Sequence, residues 1–471
     1  MFCLSMVVLF LGDSFLGNVA AGGEPYRWRV GVAVVKITPS EPVYMSGFGR
    51  VDPSTSVNND LYAKALAFED ASGGRAVLMT ADLVSIGGRM TSRVCRRVMS
   101  ATALQRRQIL LNVSHTHAGP KVWAEDVAGR DPAAVEATRR NISRMEEKLA
   151  DVILEAVSNM EPARLSWSWD KGFASFVMSR RAYTPRGVRH GTNPRAPVDR
   201  SVPVLRVDGT DGKLRAVLFG TACHAVTSFR DNFAIDPDFP GYAQRYIEKQ
   251  NPGAVALYMA GCGGDAVPYP RGKLELAPVH GRALGTEVCR VLNEKLAVVR
   301  GPIRTEFEEA ELPFQPPPPR KQLELWASGN VEDGWQKWFA SRVLKMFDEG
   351  RPVPTHCTVP LAVWQFGDNL TLVALPCEPV YDYVPLIEKA LGPANLWIAG
   401  YSNEVVGYLP SKRILSEGGY ESRGIDTGPS VGVFAPETED IVISAIKRLA
   451  RRAGRPSAGP SERARSTIGF R

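Results

Sequence analysis

Leu110-Leu111-Asn112-Val113-Ser114-His115-Thr116-His117-Ala118-Gly119-Pro120 is the stretch from which the rest of the chain can be read. The apolar residues Ile109, Leu110, Leu111 and Val113 predict a buried strand, and Gly119-Pro120 stops regular structure from continuing. Two of the six histidines in the chain sit at that strand's carboxyl end. If the extended conformation persists, His115 and His117 point to the same side, because strand side chains alternate with period two. Such a pair can hold a metal, or one member can bind it while the other moves protons. Alone, an H-x-H pair is read equally well as two histidines hydrogen-bonded at a strand end. What else the chain places beside them decides between the two.

Working outward, the same pattern recurs: an apolar run, then a polar residue among Gly, Pro or small residues. Arg75 to Leu83 holds Asp82 near its end, Leu214 to Thr221 runs into His224, and Ala254 to Ala260 stops before Asp265. Leu370 to Leu375 leads to Glu378, and Asn395 to Ala399 leads to Tyr408. Helical periodicity at Met90 to Met99, Pro132 to Met160 and Pro436 to Arg452 separates or follows these strands, with a basic loop holding Ser179-Arg180-Arg181 between two of them. This pattern predicts an α/β (α+β) fold of mixed β-sheets flanked by helices. In such folds side chains at strand carboxyl ends converge on one crevice, which puts a metal site there. His and Glu are suitable zinc ligands that leave a position open for water.

Composition narrows the partners. The net charge is +7, but Arg451 to Arg471 holds six Arg and one Glu, so five of the seven charges belong to the tail and the body is near neutral. That excludes a basic nucleic-acid surface on the fold. Residues 453–471 are expected to be a disordered basic tail that permits at most a peripheral membrane contact. Phe2 to Leu11 is apolar and too short to span a bilayer, and Val19/Ala21 suits cleavage, so residues 1–21 read as a signal peptide and the protein as secreted or periplasmic. No Lys or Arg precedes the run, which keeps an uncleaved anchor as the alternative. The remaining six cysteines are scattered without a CxxC pair and are expected to pack as small hydrophobes. A proline-rich connector and Trp-bearing helical insertion occupy about 313–350, inside one domain spanning 26–452.

At this point the residues carry a resemblance. Ser114 to Pro120 is similar to the T/S-H-T-H-S-G-P motif of the neutral/alkaline, non-lysosomal ceramidases. The segment Val30 to Thr38, the Asp265 loop, Pro376-Cys377-Glu378 and Gly400 to Tyr408 resemble that family's further motifs in the same order. The resemblance implies one Zn²⁺ held by His115, His224, Glu378 and Tyr408. It also implies His117 as a catalytic proton carrier, Asp265 as a supporting carboxylate and Arg180 as a substrate-facing residue; an arginine on the surface is the other reading of Arg180. The implied activity is hydrolysis of an N-acyl (sphingo)lipid amide by zinc-activated water. The chain departs from the family at Val267, where a Ser is usual, and at Val405, where a Tyr is usual. No C-terminal Ig-like β-sandwich is expected within this sequence. These departures keep two alternatives: a zinc hydrolase of a non-ceramide ester or amide, and a turnover-deficient binding protein using Trp326, Trp335 and Trp338 as an aromatic face.

Overall fold

The computed structural model describes residues 27–456 except 125–126, 128–129, 169, 330–333 and 426–430. The signal-like segment and the tail beyond residue 456 lie outside the described residues. A nine-stranded sheet dominates, with neighbouring strands Val255–Ala260, Leu214–Thr221, Val204–Asp208, Glu161–Ser168, Trp28–Lys36, Tyr62–Asp70, Arg75–Ala81 and Ile109–Val113; Ala297–Val299 adds to Glu161–Ser168. Its interior pairs are antiparallel, whereas the outermost pair at each edge is parallel. A second sheet orders Ile303–Pro313, His356–Phe366, Leu370–Ala374 and Leu396–Ala399.

The strands read as continuous apolar runs because both of their faces are covered. Leu110 enters the core between the two sheets, with Trp364, Phe366 and Trp397, while its neighbour Leu111 enters the core beneath the helices. Val77, Leu78 and Met79 alternate the same way. Burying each such leucine contributes about 1.5–3 kcal/mol. Helix Pro132–Ser158, capped by the Asp131 side chain on the Ala134 N–H, lies over the outer face. It packs so closely that a Cβ on Gly31 would sit 1.7 Å from the Ala156 carbonyl oxygen. Helix Glu437–Arg452 covers the far face of the second sheet, giving a helix–sheet–sheet–helix stack. The expected α/β architecture of mixed sheets flanked by helices is the one found.

The large sheet curls until its two edges nearly meet. Asn112 on one edge strand accepts from the Ala260 N–H of the other at 3.0 Å and donates to the Gly400 carbonyl at 2.7 Å. The carboxyl ends of Ile109–Val113, Leu214–Thr221 and Val255–Ala260 are thereby drawn to one place. Segment 400–403 docks on the same edge, with Asn403 exchanging hydrogen bonds with the Leu111 backbone.

Two local expectations change. The basic loop around Arg180 is a hairpin, Val177–Thr184 paired with Gly187–Asn193. The tail expected to be disordered from residue 453 is held at Arg455, whose guanidinium donates to the Gly392 and Ala394 carbonyls at 2.9 and 2.8 Å. The insertion forms helices Arg320–Ala327 and Gly334–Asp348 around a small core of their own. No described helix is long and apolar enough to cross a membrane.

Candidate metal and catalytic site

The edge strand ends at Val113, and the chain then turns rather than continuing extended. The His115 N–H donates to the Leu83 carbonyl and the His117 N–H to the Ala225 carbonyl, which ties the loop to those following two other strands. His115 has φ +62°, so the period-two argument does not bring the histidine pair together; a left-handed residue does. Cys377, Tyr401 and Asn403 are also left-handed non-glycine residues, at +60°, +49° and +64°. Each costs about 1–2 kcal/mol, and such strain concentrates at functional sites.

His115, His117 and His224 present nitrogens that all lie within 4.8 Å of one another. The His115 ring stands edge-on to both others, at centroid distances of 4.8 and 4.6 Å. Glu378 completes the group: its Oε2 lies 3.2 Å from His115 Nε2 and 2.9 Å from His224 Nε2. The second nitrogens of two histidines fix their tautomers. His115 Nδ1 faces the Val84 carbonyl at 2.5 Å and His224 Nδ1 the Gly263 carbonyl at 2.6 Å. A carbonyl only accepts, so both Nδ1 atoms carry protons, and in its neutral form each imidazole turns an Nε2 lone pair inward.

Two lone pairs therefore confront a carboxylate oxygen in a buried space. His224 Nε2 and Glu378 Oε2 accordingly have no hydrogen-bond partner, and neither has His117 Nδ1. Burial, followed by the Arg180 charge, pushes the His224 pKa down to about 3. His117 falls well below its ordinary value, chiefly through burial. A divalent cation resolves the confrontation, because ligand atoms about 2.0 Å from a tetrahedral ion stand about 3.3 Å apart. The observed 2.9–3.2 Å separations fit that requirement.

Tyr408 faces Glu378 across the short parallel pair Glu378–Pro379 and Tyr408–Leu409, and its ring stacks on His224 at 6.3 Å. Its hydroxyl accepts from Arg180 Nη2 at 2.9 Å. Arg180 is buried, which rules out the surface reading; its Nε donates to Glu421 at 2.8 Å. Asp265 is also buried, which raises its carboxyl pKa to about 6. Asp265 Oδ1 accepts from the Tyr381 N–H at 2.8 Å, so it pins the segment after Glu378 rather than meeting the histidines. Asp82 is spent on the Tyr62 N–H and Gln244.

Sequence reasoning missed Tyr401, whose ring lies 4.5 Å from that of His115, and Glu421, the buried partner of both Arg180 and Arg181. It also gave the 45–50 loop no specific contact. Gly47 leaves room for His117, since a Cβ there would come 2.4 Å from His117 Nδ1, and Arg50 Nη1 donates to the His117 carbonyl at 2.7 Å. The cysteines behave as expected: Cys223, Cys262 and Cys377 are free and buried. Trp326, Trp335 and Trp338 pack against the insertion's core, Trp335 stacked on Phe339 at 5.1 Å.

Known proteins resemble this chain in sequence and in fold. Neutral ceramidase A of Dictyostelium discoideum is 24% identical over 293 residues, which is 58% of this chain and 41% of that protein. Neutral ceramidase B of the same organism is 23% identical over 299 residues, 57% and 41% of the two chains. The matched region thus spans less than half the length of these curated relatives. A crystal structure of neutral ceramidase from Pseudomonas aeruginosa superposes with a TM-score of 0.70 at 17% identity, covering 93% of this chain and 76% of that one. A structure described as ceramidase complexed with C2 gives 0.72 at 17% identity, covering 92% and 76%. The profile described as neutral/alkaline non-lysosomal ceramidase, N-terminal, matches residues 28–311, and the chain belongs to that family.

Proposed function

We propose that this chain is a zinc-dependent amidohydrolase cleaving an N-acyl lipid amide, with His115, His224 and Glu378 holding the metal and Tyr408 completing the set. The observation that carries this reading is the convergence of His115 Nε2 and His224 Nε2 on Glu378 Oε2 at 3.2 and 2.9 Å in a buried space. Two imidazoles and a carboxylate suit zinc. When bound there, zinc polarises a carbonyl and lowers the pKa of its water to about 7.

The chain's own residues supply the rest. His117 is neutral at physiological pH and turns Nε2 toward the cluster, 3.0 Å from His115 Nε2. At that atom it takes the proton released when water adds to the amide carbon and returns it to the departing amine nitrogen. Gly47 and Phe48 hold its ring in place, the latter at 4.9 Å between centroids. Arg180 sets a cation against the Tyr408 hydroxyl. Asp265 fixes the strand that carries Glu378. A hydrolase of a non-ceramide amide or ester is favoured by one feature, the fully buried Val267 where the family usually carries a hydroxyl. Secretion through residues 1–21 and peripheral membrane contact through the basic tail belong to the same proposal.

Metal analysis with a hydrolysis assay tests it. Purified protein should contain one zinc per chain, lose hydrolysis of N-acyl amides on chelation and regain it when zinc is restored. Full activity in metal-free protein would overturn the reading.

A further inference from the structure

His117 differs from the other two clustered histidines in how its ring is held. His115 and His224 each present Nδ1 to a backbone carbonyl, whereas His117 Nδ1 is buried without a hydrogen-bond partner. Its place is therefore set through its backbone and by the rings packed on it. Both backbone groups are anchored. The His117 N–H donates to the carbonyl of Ala225, the neighbour of His224, and the His117 carbonyl accepts from Arg50 Nη1 at 2.7 Å.

Arg50 does more than close that one bond. Nη1 also donates to the Ser46 carbonyl at 3.0 Å and the Gly47 carbonyl at 3.4 Å, while Nη2 donates to the Phe229 carbonyl at 3.3 Å. One guanidinium thereby joins three loops: residues 45–50, the loop carrying His117, and the loop that follows His224. Among the described residues no other group donates to the Ser46 or the His117 carbonyl. Only a planar fork with donors in two directions can meet carbonyls arriving from separate loops.

The arrangement is costly. Arg50 is 2% exposed, every acceptor it meets among the described residues is a backbone carbonyl, and its Nε is buried with no partner. Burial lowers its pKa to about 10, so it remains a cation at neutral pH. A buried charge without a carboxylate, with one N–H left over, is an expensive brace for a loop. What it braces is the wall against the His117 ring. A Cβ on Gly47 would fall 2.4 Å from His117 Nδ1, and the Phe48 ring, 4.9 Å from that of His117, lies beneath the Arg50 guanidinium at 5.1 Å.

We propose that Arg50 is a positioning residue for His117: its guanidinium holds the His117 carbonyl and the Gly47–Phe48 wall in one frame, and so sets where His117 Nε2 stands relative to His115 and His224. The proposal deepens the amidohydrolase reading and rests on it for the catalytic consequence, but the placement of the ring can be measured without any reaction. A catalytic group displaced by about 1 Å loses on the order of 10²-fold in rate.

Arg50→Met removes the donors and keeps much of the stem, whereas Arg50→Lys keeps a cation and loses the fork. In zinc-loaded protein, kcat for N-acyl amide hydrolysis should fall about 10²-fold in Arg50→Met, with KM within about twofold and zinc content unchanged, and Arg50→Lys should recover only part of the loss. A lowered unfolding temperature with kcat unchanged, or a fall in kcat matched by loss of zinc, would overturn the positioning role. Carbethoxylation by diethyl pyrocarbonate, read at His117 by fragment mass spectrometry, measures the placement directly. His117 should react at least tenfold faster in zinc-loaded Arg50→Met than in the wild type, with the exposed His356 unchanged as reference. An equal or slower rate at His117 would also overturn the role. If the rate rises as expected but neither protein hydrolyses an amide, the positioning stands and the amidohydrolase reading falls.

Discussion

Two buried charged clusters meet at Tyr408, and they differ in whether each charge meets its opposite. In one, Glu421 lies between Arg180 and Arg181 and every charge meets its opposite. In the other, Glu378 Oε2 faces two imidazole lone pairs and finds no donor. Both cost desolvation, but only the first offsets that cost within the protein. The second leaves Glu378 Oε2 and His224 Nε2 without a hydrogen-bond partner. Similar burial and similar residue types therefore mark an ion-pair network in one place and a candidate ligand site in the other, and the pairing of opposite charges separates them.

The largest effect expected on this contrast is in the open cluster. His115→Ala should lose metal and at least 10³-fold in turnover, about 4 kcal/mol of barrier. His117→Ala should keep its metal and lose about 10²–10⁴-fold, the share of a proton carrier. Zinc content by elemental analysis beside the hydrolysis rate checks both, and equal metal loss in the two variants would show that His117 is itself a ligand.

The closed cluster should respond in stability instead. Glu421→Gln leaves the buried Arg180 guanidinium facing an amide, while Arg181 keeps Glu417, and should cost about 3–5 kcal/mol, the cost of breaking a buried pair. A shift of the urea midpoint measures it, with zinc content expected to hold; a loss below about 1 kcal/mol would show that the network is not what closes that region.

The sequence shows the open cluster far better than the closed one. His115, His224 and Glu378 each follow an apolar run and precede or adjoin small residues, so their strand-end position could be read directly. Their convergence could not, because it depends on the sheet curling until Asn112 reaches Ala260, a contact with no local signal. Arg180 and Arg181 look like surface charge, since only the distant Glu421 makes their burial tolerable. Strand Ile303–Pro313 carries so much Glu that its alternation is hidden, and only the Arg448 and Arg452 partners on the last helix reveal why those charges lie there. Helix Ala277–Leu292 is similarly masked by Gly281 and Gly285. Both glycines are needed for close packing, as Cβ atoms there would lie 2.3 Å from Tyr242 Cβ and 2.7 Å from Tyr246 Cδ1.

A smaller effect tests the border between the clusters. Asp265 is ordinarily half-protonated at 3.8 but near 6 when folded, with burial the first cause and the Glu421 charge adding to it. The folded state binds the extra proton, so this stabilisation is complete below about pH 4 and is lost as pH rises to about 6. Asp265→Asn keeps an acceptor for the Tyr381 N–H and removes the titration. Wild-type stability should therefore fall relative to Asp265→Asn by up to ~3 kcal/mol across that window. Parallel stability–pH curves for the two proteins would show that Asp265 does not carry the buried proton.

The smallest effect is the sharpest test, because the same Glu→Gln change should act with opposite sign in the two clusters. In the closed one it removes the carboxylate that Arg180 needs and Arg181 shares. In the open one, Glu378→Gln replaces an oxygen that repels two lone pairs with an NH₂ that can donate to both His115 Nε2 and His224 Nε2. A hydrogen bond of this kind is worth about 1 kcal/mol net, so metal-free Glu378→Gln should unfold at a higher temperature than metal-free wild type. Zinc should then stabilise the wild type strongly and the variant little, since binding to the native state alone raises stability and the carboxylate ligand is gone. Thermal unfolding with excess chelator and with added zinc reads all four values. A metal-free Glu378→Gln protein less stable than wild type would mean that a proton already bridges Glu378 and an imidazole. The open cluster would then be a second closed ion pair, with no vacancy for a metal to fill.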